Sequence, residues 1–342
     1  MKIKHFLIFF LIGANLSQLL VNIKNQISIN VNIAFVMAAI TFMILQFITT
    51  YYIKSIKLII VLLMISSSCF YLIDHELSLI ICLCFTFALL KILLSMDEVV
   101  MIYEGNYGKL RAYGAIGMAS GAILASLLFH YRILLVIMII SVGLISLFYN
   151  YCYEIKKDNN QLRLNKQVIL IILIYFTIYT ITALDQYLVI EKMIALKASK
   201  LMIGLKWALQ AICEIPALFV LDKIAKKINY YYLLLLAILM YVIKFLGYGY
   251  FNHSILIVIC ACLQLVTLPL INYTSKMYLG KNKKSQMIAS VFFNGLSLVF
   301  APLLSMYLLK VIGYDNGLYF CAIGLMIVGI FVIFIKKALK SK

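Results

Sequence analysis

Lys206, Gln210 and Glu214 recur every four residues within an otherwise apolar stretch. In a helix that spacing puts all three on one face, drifting about 40° per step. An ammonium, an amide and a carboxylate on one stripe can relay hydrogen bonds and hold or release a proton. Asp185 offers a second carboxylate, with Gln186 beside it and Tyr175, Tyr179 and Thr182 on a shared face, and Lys244 a second ammonium. Asn15, Gln18 and Asn22, at i, i+3 and i+7, form a neutral amide stripe suited to hydroxyl-rich or zwitterionic solutes, or to bonding between helices. Gln264 and Thr267 share another face.

The chain that must position these groups is 65% hydrophobic and 12% charged over 342 residues. A soluble domain carries roughly a quarter of its residues charged. Lipid must therefore solvate most of the exterior, which restricts the backbone to helices or closed barrels. The apolar runs are continuous rather than alternating, so a helical bundle is expected. The net charge of +18 does not mark a nucleic-acid binder, because the basic residues are spread between apolar runs. Eight cysteines, among them the pairs Cys82–Cys84 and Cys260–Cys262, have no metal or redox spacing. His5, His75, His130 and His253 stand at span ends, far apart, so neither a metal nor a cofactor is expected.

Windows of about 19 apolar residues predict twelve spans, at 5–23, 30–51, 57–73, 77–96, 112–129, 131–151, 167–189, 200–221, 230–250, 254–276, 285–309 and 315–336. With the N-terminus inside, 21 of the 30 Lys and Arg fall in cytoplasmic segments, six on the outer side and three (Lys91, Lys206, Lys244) within spans. Such a bias fits an even span count with both termini cytoplasmic. The longest polar loop predicts two six-helix bundles, 1–153 and 167–342, joined by a cytoplasmic linker at 154–166. Heavy Lys, Ile and Asn usage hints at an AT-rich bacterial genome, hence a bacterial cytoplasmic membrane.

Three strings then carry a resemblance. YGKLRAYGAIG (Tyr107–Gly117) is similar to the YGRxRxWGSIG signature of a major facilitator subgroup that includes phenylpropionate permease and the lactose permease-like proton symporters. IGLKWALQAICEIPALFVLDKIAKKI (Ile203–Ile228) resembles the eighth helix and following loop of that subgroup, and ALDQYLVI (Ala183–Ile190) its seventh helix. A fainter likeness runs through Pro302–Phe320. There are departures. TTYYIKSIK (Thr49–Lys57) keeps only the basic part of the family's loop motif, and Gln264 and Thr267 stand where the lactose permease group has a His and a Glu. The resemblance implies the major facilitator fold, and with it inner-face latching groups at Asp222, Lys223, Lys226 and Lys227, and at Arg111 and Asp97 around the loop between spans four and five.

An ionisable group at membrane depth costs at least about 2.5–3.5 kcal/mol on insertion scales, so each one is a functional candidate. Glu214, near mid-span, is read as cavity-lining or paired; Lys206 as cavity-facing or snorkelling outward; Lys91 as snorkelling at the inner end of span four, or as a counter-ion for a substrate carboxylate. Lys244 is expected to pair with Glu214 or Asp185. Gly114, Gly117 and Gly121 suit close helix approach, and Pro216, Pro269 and Pro302 helix kinks. Tyr51–Tyr52 and Tyr230–Tyr232 read as interfacial belts. The expected function is secondary transport of a small polar organic solute coupled to H+, by a monomer in the lipid bilayer. The alternatives are a lipid-linked polysaccharide flippase and a transport-inactive sensor or scaffold. An enzyme is not expected, since no sizeable outer loop or intramembrane His with acid or Arg partners is present.

Overall fold

The computed structural model describes the chain apart from residues 1, 25–30, 53–54, 150–165, 281–282 and 337–342, and apart from the side chains of 17–18, 20–24, 31, 51–52, 200–201, 204–205, 207–208 and 283. The linker expected at 154–166 lies almost wholly outside the described residues, and so does the side chain of Gln18. Every described element is helical, and the chain divides into two compact units.

The first unit comprises residues 1–162 and 281–296. It contains α1 (Lys2–Lys24), α2 (Val31–Tyr52), α3 (Ile56–Leu72), α4 (Glu76–Glu104), α5 (Tyr107–Leu128) and α6 (Arg132–Tyr149). α4 packs on α1, α2, α3 and α5 and buries Leu83, Leu90, Leu93 and Met96. The closest pairing is α1 with α5. A Cβ on Gly117 or Gly121 would collide with the carbonyls of Phe6 or Phe10, and one on Gly13 with that of Met118. Here the small residues let two backbones touch. The unit is completed by α13 (Lys283–Ser290) and a π-helical turn (Val291–Leu296), which pack on α2. Gly295 fits against Phe42 and Met43 there.

The second unit comprises 163–280 and 297–342. It contains α7 (Lys166–Ala183), α8 (Asp185–Ala195), α9 (Lys200–Ile224), α10 (Tyr230–Tyr250), α11 (Ser254–Ala261), a 3-10 turn (Cys262–Leu265), α12 (Thr267–Leu279), α14 (Ser297–Val311) and α15 (Gly313–Phe334). Two expected spans are thus each interrupted. Pro269 accounts for one break: it lacks an N–H, and its ring would crowd the Leu265 carbonyl of a continuous helix, so it sits in the first turn of α12 instead. At the other, Leu184 bonds back to Ile181 (3.2 Å) and its carbonyl receives both Tyr187 (3.1 Å) and Leu188 (2.9 Å), so a tightened turn marks the passage from α7 to α8 while the backbone stays right-handed. Asp185 then opens α8, where the helix dipole favours a carboxylate.

Among the described residues, nine helices are long and apolar enough to cross a membrane, and the apolar α3 is shorter, at 17 residues. Two expected boundaries are corrected. The fourth span does not stop at 96 but continues to Glu104, and the fifth begins at Tyr107. The polar groups that close a hydropathy window here are paired inside the unit, so the helix need not end. The turn between them is only Gly105 and Asn106, both left-handed in φ (72° and 59°), a conformation glycine adopts without strain.

A candidate coupling site in the second unit

Four helical segments share a polar network that includes Asp185. Its Oδ1 accepts from Lys206 Nζ at 2.7 Å, and its Oδ2 from Lys244 Nζ at 3.0 Å and Gln210 Nε2 at 3.3 Å. Lys244 also donates to Gln264 Oε1 at 2.6 Å, and Gln264 Nε2 donates to Glu214 Oε1 at 3.1 Å. Thr267 Oγ1 supplies a second donor to Gln264 Oε1 at 3.2 Å. The result is a continuous chain, Lys206–Asp185–Lys244–Gln264–Glu214. Every member is buried, Lys206 and Lys244 almost completely (0% and 1% exposed).

Each member owes its place to local structure. The i, i+4, i+8 spacing on α9 turns Lys206, Gln210 and Glu214 inward together. The break before α8 presents Asp185 at a helix start, and the 3-10 turn ahead of Pro269 presents Gln264. Aromatic faces shield the cations. Lys244 Nζ lies 5.3 Å from the Tyr241 ring centroid and 5.4 Å from that of Tyr248, and Lys206 Nζ lies 5.9 Å from the latter. Two ammonium groups and two carboxylates balance, as groups so far from water must. Of the partners expected for Lys244, the structure selects Asp185. Lys206 does not snorkel: its ammonium is spent on Asp185.

Other residues singled out in the sequence fall outside this chain of bonds. Tyr179 donates to Asn272 Oδ1 at 2.6 Å, and Tyr175 to Thr274 Oγ1 at 2.7 Å, which ties α7 to α12. Gln186 is exposed. Asn15, in the first unit, donates to its own Leu11 carbonyl at 2.9 Å, and its Oδ1 has no partner among the described residues. Asp222 is half-buried beside the Tyr273 hydroxyl, with which it forms a hydrogen bond, whereas Lys223, Lys226 and Lys227 are exposed. The belt expected at Tyr230–Tyr232 is corrected in part. Tyr231 is buried, and Tyr230 meets Tyr273 and Tyr278 edge-on, so two of the three rings pack within the unit.

The first unit holds a separate charge cluster that sequence reading missed. His5 is fully buried, and its Nδ1 lies 2.9 Å from Asp97 Oδ2, its Nε2 3.2 Å from Glu104 Oε2. Lys4 pairs with Glu104 as well, and Arg111 Nε lies 3.8 Å from Glu98 with its guanidinium over the Phe9 ring at 4.5 Å. Asp97 and Arg111 are therefore helical residues of α4 and α5, not members of a loop. Spacing along the chain could not show this, because His5 and Asp97 are 92 residues apart.

Lys192, one of the six basic residues expected on the outer side and beyond the seventh span, lies in a helix and not in a loop. It is fully buried on α8, donates to the carbonyls of Tyr248 (2.8 Å) and Gly249 (2.9 Å), and forms an ion pair with Asp315 at 2.6 Å. Carbonyls in the last turn of a helix lack partners within it, and a lysine fills that need at the end of α10.

No curated protein matches the sequence significantly. Among solved structures, the human organic anion transporter MFSD10 (TETRAN) superposes with a TM-score of 0.79 at 10% identity, with 97% of each chain covered. The major facilitator transporter FucP in its outward conformation gives 0.69 at 14% identity over 97% of this chain and 98% of that one. The nucleoside transporter NupG gives 0.67 at 12% identity, with the same coverage. At such identities these likenesses speak for the fold. The family profile described as MFS_1 like family matches residues 7–291, most of the length. The chain belongs to the MFS_1 like family of the major facilitator superfamily.

Proposed function

We propose that this protein is a secondary active transporter that moves a small polar organic solute, of the sugar, nucleoside or organic acid class, by alternating access coupled to H+. Twelve spans in two six-helix bundles, with both termini cytoplasmic in a bacterial inner membrane, belong to the same reading. Family membership, the apolar helices and the skewed distribution of Lys and Arg support it. So do the functions named for the structural neighbours, which include the E. coli fucose:proton symporter.

The observation that carries the coupling argument is the buried chain from Lys206 to Glu214. Asp185, gripped by two ammonium groups, is the fixed counter-charge. Glu214 is joined to Lys244 through the neutral Gln264 amide, which donates to one and accepts from the other. Burial favours the neutral carboxyl and access to water the charged one, and alternating access switches between those conditions. A proton loaded at Glu214 would alter the hold of Gln264 on Lys244 and thereby reach Asp185.

Proteoliposomes with an imposed pH gradient provide the test. Wild-type protein should accumulate solute when the gradient points inward. Glu214→Gln should retain exchange of solute and lose accumulation. Uptake by the wild type that ignores the gradient would refute the coupling.

A further inference from the structure

Lys91 lies at the middle of α4, thirteen residues from Glu104 and fifteen from Glu76, hence about 20–23 Å from either end at 1.5 Å per residue. The nearer limit of the apolar run is Met96, on the C-terminal side. The ammonium lies the other way, 5.5 Å from the Phe87 ring centroid, one turn toward the helix start. Side chains lean toward the N-terminus of their helix, so this direction is the relaxed one. Lys91 therefore does not snorkel past the C-terminal turns, although its side chain is only half-buried.

The acids closest in the fold bond to other cations. Asp97 is held by His5, Glu104 by Lys4 and His5, and Glu98, whose charge also acts on Lys91, faces Arg111. Among the described residues, no carboxylate comes within 4.0 Å of the Lys91 ammonium. A second donor without an acceptor among the described residues lies on α2, against α4. Ser95, one turn further on the same face of α4, has its Oγ 2.9 Å from the Lys91 carbonyl and 3.3 Å from Gln46 Oε1. Gln46 is fully buried, and its Nε2 has no partner among the described residues. An ammonium and an amide N–H both require an acceptor. The lysines of the second unit cannot serve the same purpose, because Asp185 and Glu214 already balance them.

We propose that Lys91 is the counter-ion for an anionic solute, a small organic molecule with one carboxylate. This rests on the transport reading above and narrows its substrate class.

The experiment compares acids with their neutral amides, benzoate with benzamide and lactate with lactamide, at millimolar concentration. Thermal unfolding of the purified full-length protein and uptake into proteoliposomes are both read. At least one acid should raise the unfolding temperature and enter the vesicles while its amide does neither. Lys91→Gln should weaken that acid by about ten- to a hundredfold, the range expected when a charge-assisted hydrogen bond is lost. Lys91→Arg, which keeps the charge, should retain the preference for acid over amide. Equal effects of acids and amides, no response to either acid, undiminished acid binding by Lys91→Gln, or loss of the preference in Lys91→Arg would each overturn the assignment. Gradient-driven uptake of fucose or uridine without any acid response would remove this site and leave the transport reading standing. Acid binding that depends on Lys91 without uptake under any gradient would keep the site and sink transport.

Discussion

Asp185 is shared by two lysines, and that asymmetry fixes the order in which substitutions should hurt. Removing the Lys244 ammonium (Lys244→Met) costs Asp185 one bond of 3.0 Å and Gln264 one of 2.6 Å, but leaves Asp185 paired with Lys206 and Gln264 still served by Thr267. Two bonds to charged groups are lost, and the uncompensated charge falls on Glu214, which can take up a proton, so the expected loss is about 2–4 kcal/mol. Asp185→Asn strands two buried ammonium groups together. Breaking one buried pair costs about 3–5 kcal/mol, so this variant should be the worse by at least about 1–2 kcal/mol. The double variant Asp185→Asn/Lys244→Met restores the charge balance, with Lys206 against Glu214. It should be more stable than Asp185→Asn alone, with a coupling of about 1–3 kcal/mol. Thermal unfolding of the purified full-length chain, with solute exchange in proteoliposomes as a parallel readout, measures the cycle. Additive losses in the double variant, or Lys244→Met as damaging as Asp185→Asn, would refute the shared-acid reasoning.

Two further outcomes are expected outside the network. Gly117→Ala, small as it is, drives a methyl into the Phe6 carbonyl and forces α5 away from α1; a loss of about 1–3 kcal/mol should appear in thermal unfolding, typical of overpacking. Lys192→Met strips two carbonyls at the end of α10 of their donor while Asp315 remains half in water, at 41% exposure. Hydrogen exchange should quicken near Tyr248–Tyr250, with the pH-gradient dependence of uptake unchanged.

Part of the site was readable before any coordinates. Lys206, Gln210 and Glu214 announced themselves because helical periodicity is local and charges are scarce in apolar runs. The shortage of charges also narrowed the partners of Lys244 to two. What stayed hidden depended on distance in the chain or on hydropathy itself. A window sees Asp97, Glu98 and Glu104 as the end of a span, since it cannot see that Lys4, His5 and Arg111 answer them. The same blindness put Lys91 near an end of its helix and Lys192 in a loop. Gln264, which the resemblance marked only as a departure from a His, proves to join Lys244 to Glu214, a role an amide can fill because it donates and accepts at once.

The tightened turn at Leu184 lies one residue ahead of a carboxylate nailed to α9 and α10. Seven residues from that carboxylate, near the other end of α8, Lys192 fastens the same short helix to the end of α10 and to Asp315. Buried ammonium groups thus clamp α8 at both ends, and a perturbation at one clamp is carried by a helix that the other still holds.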